Sequence, residues 1–340
     1  MKIKRTVVAA AGVMALALAG CASTNTEAPE GGGGSDTVTT LSFAHWIPGE
    51  TPQTKQYEHI AELVKERTDG ELVIELFPGG QLGDQRDTLE GLQAGTIDMS
   101  KADDGYLVNY IKDYSVLSLP FMFENYDHLA AVLDSDIIAD LDARLLEKSG
   151  LRTLGWSFTG FRQFYLDESV QELDDFNGKN IRAPEIDVYI KTIESLGANP
   201  TPTPWGEVYL GLETGLVQGF ESSPADAVAI SADEVIKNVL VTNHIQASAA
   251  IVISEKAWER LSAEQQKILQ EVVTETTKEQ RNAQQAADDE AIQSMADQGI
   301  EVAPYPKPEE LVKAVQPVWD EYRSDPEMAD LIDKISNFEY

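Results

Sequence analysis

Residues Lys179 to Pro224 read KNIRAPEIDVYIKTIESLGANPTPTPWGEVYLGLETGLVQGFESSP, with one arginine in an acidic, apolar and turn-forming stretch. Arg182 stands just before Ala183-Pro184. A proline turns the residue before it away from helical backbone, which predicts Arg182 near the end of a strand. Val188 to Leu196 has the spacing of a short helix closed by Gly197. A rigid run of Pro200, Pro202 and Pro204 follows, and Trp205-Gly206-Glu207-Val208-Tyr209 opens a second helix. A strand-end guanidinium beside an aromatic ring and a carboxylate suggests a pocket for a small organic acid, because arginine's planar fork grips a carboxylate through two parallel hydrogen bonds. The same residue could be a surface arginine paired with Glu185 or Asp187. On this stretch alone both readings stand.

At 340 residues the chain is long enough for two lobes, each with its own core. The charge balance is unusual: 26 basic residues against 58 acidic ones, a formal net charge of −32. Such a balance argues against nucleic acid as a partner, since that requires basic surface. An anionic ligand would have to be drawn in by local arginines against an unfavourable overall field.

Several chemistries lack their motifs. The four histidines, His45, His59, His128 and His244, are scattered and without cysteine partners, which argues against a metal site. Neither a Walker loop nor a Gly-x-Gly-x-x-Gly after a strand is present. Gly155, Ser157 and Gly160 have the wrong spacing for a nucleophile elbow. Asp134, Asp136, Asp140 and Asp142 lack calcium-loop spacing and read as the solvated face of a helix. Paired acids are so common here that a glycosidase pair is neither singled out nor removed.

Residues 1–20 combine a basic start (Lys2, Lys4, Arg5) with an apolar run too short to span a bilayer, the pattern of a secretory signal. Cys21 is the only cysteine, so no disulfide framework is expected. Residues 21–38, with four consecutive glycines, read as a flexible tether.

Order is expected from Thr39. Leu41 to Trp46 reads as a strand, Tyr57, Ile60, Leu63 and Val64 as a helix stripe, and Leu72 to Phe77 as a second strand. A helix carrying Leu89 and Leu92 leads to a third strand, Ile97-Asp98-Met99. Asp103, Asp104 and Tyr106 then fall just past its end, where open α/β sheets bind ligands. Leu117 to Phe123 reads as core. Arg162 opens a strand with Gln163, Phe164 and Tyr165, so two arginines on neighbouring strands could face one cleft. Val239 to Ser254 reads as one long strand-like run. Ser262 to Gln298 is helical, capped by Ser262 and Gln265 and stopped by Gly299, roughly 55 Å long at ~1.5 Å per residue. Apolar at its ends and polar between, it can bridge two lobes. Beyond it lie a Pro-rich turn and a helix with Leu311, Val315, Val318 and Trp319.

Two blocks carry a resemblance. IRAP followed by LGANPTPTPWGEVYLGLETGLVQGFES, and FPGGQLGDQRDTLEGLQAGTIDM from Phe77 to Met99, resemble the extracytoplasmic solute-binding proteins of TRAP (tripartite ATP-independent periplasmic) transporters, C4-dicarboxylate-binding type. That family's first block runs as Arg-x-Pro, Pro-Trp-x-Glu-x-Tyr and Gly-x-x-Asp-Gly-x-Glu-Asn. Leu18-Ala19-Gly20-Cys21 likewise resembles a lipobox, which would make Cys21 the lipidated first residue of the mature chain.

The resemblance implies an α/β fold of two lobes, each with a parallel or mixed sheet, bridged by the long helix. Lobe I would hold 39–158 plus 248–282, and lobe II 159–247 plus 283–340. It implies a monomer anchored outside the cytoplasmic membrane that delivers a small carboxylate to permease subunits, with no cofactor and no catalysis. Mapped by position, Trp46, Gln85, Asp103 and Tyr106 would line the first lobe's side of the site. Arg162, Arg182, Trp205, Glu207, Phe220, Glu221 and Ser222 would line the second's. Arg162 and Arg182 would hold the carboxylate, Trp205 would flank the ligand, and Asp103 would accept from its hydroxyls, which favours a uronate or aldonate over a C4-dicarboxylate or keto acid. Gln218-Gly219-Phe220-Glu221-Ser222 departs from the usual Asp-Gly-x-Glu-Asn, leaving the ligand's identity open. A secreted hydrolase of acidic sugars and a ligand-presenting sensor are the alternatives.

Overall fold

The computed structural model describes residues 38–340. Its strands, in chain order, are β1 (Thr39–Ala44), β2 (Leu72–Phe77), β3 (Met99–Asp103), β4 (Leu151–Phe161), β5 (Gln163–Leu166), β6 (Asn180–Ala183), β7 (Asn199–Pro202), β8 (Gly219–Ser222), β9 (Asn238–Val241), β10 (Gln246–Ser254) and β11 (Glu301–Pro304). They form two sheets, ordered β2-β1-β3-β10-β4 and β11-β9-β5-β8-β6-β7. In the first, β1 is parallel to β2 and β3, and β10 is antiparallel to β3 and β4. In the second, β6 is parallel to β7 and β8 while β5 is antiparallel to β8 and β9. Both sheets are mixed, and the fold has the two-lobe α/β form expected.

The chain crosses between the sheets three times, and two of these crossings run from strand to strand with no helix between. One crossing is Arg162 itself, the single residue between β4 and β5. The other splits Val239–Ser254, which is two strands of different sheets rather than one run. Asn243 there takes a left-handed backbone (φ 47°), and the Gln163 side-chain carbonyl accepts from the N–H groups of Thr242 and Asn243. Alternating apolar residues do not register such a switch, because both halves are buried strands.

The helix Ala263–Asp297 straps the two halves together. Its 35 residues span about 52 Å at about 1.5 Å per residue. The Ser262–Gln265 capping box starts it as expected. Leu269, Val272 and Val273 pack with Leu41, Phe43 and Ile251 of the first sheet, and Met295 packs with Phe220 and Val239 of the second. Between these ends Gln280 clamps β4, accepting from Phe158 N–H and donating to Phe158 C=O. The last helix, Pro326–Ser336, returns to the first half: Ile332 and Ile335 join a cluster with Leu117 and Leu129.

Three further local expectations need correction. The third strand begins at Met99, because Asp98 is occupied in accepting from Ser42 N–H and Arg260. Asp103 is therefore that strand's last residue rather than lying beyond it. Asn199–Pro202 is a strand; its prolines are tolerated because β7 is a sheet edge. Asp142 is not on a solvated face. It accepts from Tyr114 Oη (2.6 Å), Trp156 Nε1 (3.1 Å) and Thr153 Oγ1 (3.2 Å), and burial raises its carboxyl to about 6.

Candidate functional site

A cleft of about 320 Å³ opens where the two sheets meet. It is lined by nine of the eleven expected ligand-binding residues: Trp46, Gln85, Asp103, Tyr106, Arg162, Arg182, Trp205, Glu207 and Ser222. Phe220 and Glu221 do not line it. Phe220 is fully buried against Tyr165 at 4.7 Å between ring centroids, and Glu221 lies behind Arg162. They share β8 with Ser222, so family position put them near the site while packing turned them from the cavity.

The two arginines occupy different electrostatic states. They are not on neighbouring strands, because β8 lies between β5 and β6. Arg162 meets Glu221 fork to fork, through Nε and through Nη2 at 2.8 Å, and Nη2 also donates to the Glu221 carbonyl at 2.8 Å. Its Cζ lies 5.0 Å from the Tyr189 ring centroid. Burial penalises this guanidinium, but Glu221 outweighs the penalty and holds it above its ordinary value. Burial likewise works against the Glu221 charge, and Arg162 and His244 keep that carboxyl below its ordinary value. His244 Nε2 lies 3.6 Å from Glu221, and its ring stacks on Phe164 at 4.4 Å.

Arg182 has no such neutralisation. It is 3% exposed, and its Nε and Nη2 donate to the Thr203 carbonyl at 2.9 and 2.5 Å. Among the described residues no carboxylate lies within ion-pair distance of it. Glu185 pairs with Arg86 and Asp187 with Lys191, so the surface-arginine alternative falls. Its Cζ sits 5.4 Å from the Trp205 ring centroid. Burial pushes its pKa down to about 10, with Glu221 opposing and Arg162 adding to the shift. A buried, oriented cation without a counter-charge has the charge and the free donors to receive an anion.

Across the cleft, Asp103 is held by two residues through three contacts. Lys101 Nζ bonds its Oδ1. Gln85, with its amide turned to satisfy both contacts, donates to Oδ2 at 2.8 Å and accepts from Asp103 N–H at 2.7 Å. Lys101 is 2% exposed and lies 4.2 Å above the Trp46 ring centroid. Tyr106 is raised to about 12, chiefly by burial, with Arg182 and Asp103 acting in opposite senses.

The sequence reading missed Lys101, Tyr189 and Asp226, which also line the cleft. Lys101 carried a usable signal: it precedes Asp103 by two on a strand, so both side chains share a face. Tyr189 and Asp226 lie early in helices that follow site strands, where sequence alone does not fix the facing.

A larger cavity of about 500 Å³ runs along the helices Pro52–Arg67 and Ala263–Asp297. Its Lys55 and His59 already face Glu50 and Glu279, and Glu290 adds a third carboxylate to its wall. The uncommitted cation is in the smaller cleft.

The model of the bacterial extracellular solute-binding proteins, family 7 (DctP), matches residues 43–325. The chain belongs to this family. It is 28% identical to the sialic acid-binding periplasmic protein SiaP of Vibrio cholerae over 84% of this chain and 89% of that one. Identity to the 2,3-diketo-L-gulonate-binding periplasmic protein YiaO of Escherichia coli is 32%, over 74% and 78%. The crystal structure of a TRAP periplasmic solute-binding protein from Citrobacter koseri with bound D-glucuronate superposes with a TM-score of 0.84 at 29% identity, covering 89% of this chain and all of that one. DctP-family proteins bind solutes outside the cytoplasm for transport and are not enzymes, which removes the hydrolase alternative.

Proposed function

We propose that this chain captures a sugar acid, a uronate or aldonate in preference to a C4-dicarboxylate or keto acid, and hands it to a TRAP permease. The observation carrying this reading is Arg182: buried, oriented by a backbone carbonyl, and without a carboxylate partner. In this reading Arg182, backed by Arg162, holds the ligand carboxylate, and Trp205 flanks its body. Asp103, steadied by Gln85, accepts from ligand hydroxyls, which suit an acceptor-only carboxylate. Trp46, Tyr106, Glu207 and Ser222 complete the wall. Phe220 and Glu221 act from behind, Glu221 by fixing Arg162.

The lobes of this proposal are 39–158 plus 248–282 and 159–247 plus 283–340, closing over the ligand about the Arg162 crossover. The last helix would clasp back onto the first lobe through Ile332 and Ile335. The ligands of the relatives, sialic acid, diketogulonate and D-glucuronate, support the ligand class. Thermal-shift and calorimetric screening against uronates, aldonates, keto acids and C4-dicarboxylates tests the reading. One-to-one binding of a sugar acid, recovered unchanged, is expected; succinate or malate binding at least as tightly would overturn the preference.

We further propose that the protein is a monomer tethered by lipid on Cys21, with residues 1–20 removed and 21–38 as spacer; of these, residues 1–37 lie outside the described residues. Membrane attachment needs more than one acyl chain, which a diacylglyceryl anchor supplies. Cys21→Ala should release the protein from the membrane fraction, and unchanged attachment would sink the idea.

A further inference from the structure

Past Arg182, the cleft includes polar groups that the carboxylate contact does not use. Lys101 and Asp103 enter from β3, while Asp226 enters from the helix Pro224–Ala229, beyond β8 of the other sheet. Asp226 is 8% exposed, and among the described residues no basic group lies within ion-pair distance of it. Burial raises its carboxyl, and Lys101 is the strongest charge pulling it back down. Ser222 is 1% exposed, and its Oγ has no hydrogen-bond partner. This part of the wall therefore sets two carboxylates against one ammonium and adds an idle hydroxyl. Arg162 cannot rebalance it, because Glu221 already matches that charge.

We infer that this wall reads hydroxyls and rejects a second carboxylate, with Lys101 and Asp226 as specificity-determining residues. The inference rests on the assignment of Arg182 as the carboxylate receptor. A hydroxyl both donates and accepts, so one hydroxyl can accept from Lys101 while donating to Asp103 or Asp226, and the next can serve Ser222. A carboxylate only accepts. Placed here it would put three negative charges around one ammonium and offer Asp226 no hydrogen to accept. Specificity built by such repulsion is negative selection against the wrong partner rather than a better fit to the right one. The ligand class narrows accordingly to hydroxylated monocarboxylates, with aldarates excluded although they carry the same hydroxyls.

Matched acids isolate this wall. Gluconate and glucarate, and galactonate and galactarate, differ at the far carbon, which carries a hydroxyl in one and a carboxylate in the other. Calorimetry on the wild-type chain with both pairs, and with glucuronate and galacturonate, should show at least a hundredfold preference for the monoacid that binds best over its diacid. Asp226→Asn should cut that preference to about tenfold or less, mainly by admitting the diacid, with circular dichroism unchanged. Lys101→Met should weaken the monoacid at least tenfold. The wild-type ratio stands even if a variant misfolds. A diacid bound as tightly as its monoacid, or a ratio unmoved by Asp226→Asn, overturns the inference while leaving carboxylate capture intact. Silence of the wild type to every acid in the set would overturn both.

Discussion

Arg182 is fixed by the Thr203 carbonyl, not by a carboxylate: both Nε and Nη2 converge on that oxygen. A neutral acceptor orients the guanidinium without cancelling its charge. Thr203 is placed by the prolines on either side of it, so the turn-rich stretch around Pro202 and Pro204 serves to aim an arginine. Arg162 shows the contrast, being aimed and neutralised by the same residue, Glu221.

Arg182→Met should therefore abolish tight binding while leaving the fold intact. Losing one partner of a desolvated, hydrogen-bonded charge pair costs about 3–5 kcal/mol, which at ~1.4 kcal/mol per tenfold is a hundredfold or more in affinity. Arg182→Lys keeps the charge but not the fork and should also bind poorly. Thermal unfolding should hold steady or rise in Arg182→Met, since an uncompensated buried charge is removed. Calorimetry with the best sugar acid and a melting curve check both; affinities within a factor of two of wild type would remove Arg182 from the site.

Glu221 should matter for stability as much as for binding. Glu221→Gln leaves Arg162 buried without its counter-charge, and breaking such a pair costs about 3–5 kcal/mol. The double variant Arg162→Met, Glu221→Gln should recover part of that loss, because no charge is then stranded. Denaturant titration of the two single variants and the double one reads the coupling. Strict additivity would mean that the pair is not a unit.

The elements that position the site were legible where one periodicity ran uninterrupted. The strand Leu72–Phe77, the helix after Gly80 and the capped long helix all follow from local pattern. Legibility failed where the chain changes partner without changing pattern. Val239–Ser254 conceals a sheet switch set by a left-handed Asn243, and the Gln163 amide that stabilises it comes from another strand. Asp142 failed for a related reason: its partners Tyr114 and Trp156 are distant in sequence. In the site, strand ends announced Asp103 and Arg182. Lys101 was passed over because a lysine in an acidic chain reads as surface, although this one is 2% exposed.

Gly160, next to the Arg162 crossover, cannot carry a side chain without disturbance. Its φ is 113°, and an added Cβ would overlap Asp288 Oδ2, with Ser223 Cβ at 3.1 Å. Backbone in so sparsely populated a region costs of order 1–3 kcal/mol for a non-glycine residue, and the contact adds to it. Gly160→Ala should lower the melting temperature and weaken sugar-acid binding together, since the strain sits at the crossover. A melting temperature equal to wild type would show that the crossover accommodates a methyl group freely.

Asp288 makes that crossover sensitive to pH. Its carboxylate accepts from Ala225 N–H (3.1 Å), Gln284 Nε2 (3.1 Å) and Tyr126 Oη (2.9 Å), joining the long helix to both sides of the cleft. Burial raises it to about 7, the three donors opposing and Asp226 adding to the rise. A carboxyl raised on folding holds its proton in the folded state after the unfolded chain has lost it. Stability is therefore fully present below about pH 4 and falls as pH climbs towards 7, where the folded state also ionises. Asp104 and Asp142, both raised to about 6 by burial, act in the same sense but finish earlier. Between pH 6 and 7 Asp288 contributes a fall of at most about 1.4 kcal/mol per pH unit, while His45 and His244, both lowered by burial, contribute a rise as their unfolded imidazoles lose their protons. Asp288→Asn carries no titrating proton, so its unfolding free energy should fall less, or rise more, from pH 6 to 7 than that of wild type. Urea titrations of both proteins at pH 5, 6, 7 and 8 decide the matter: parallel curves would mean that Asp288 stays ionised throughout and that the fall in stability comes from elsewhere.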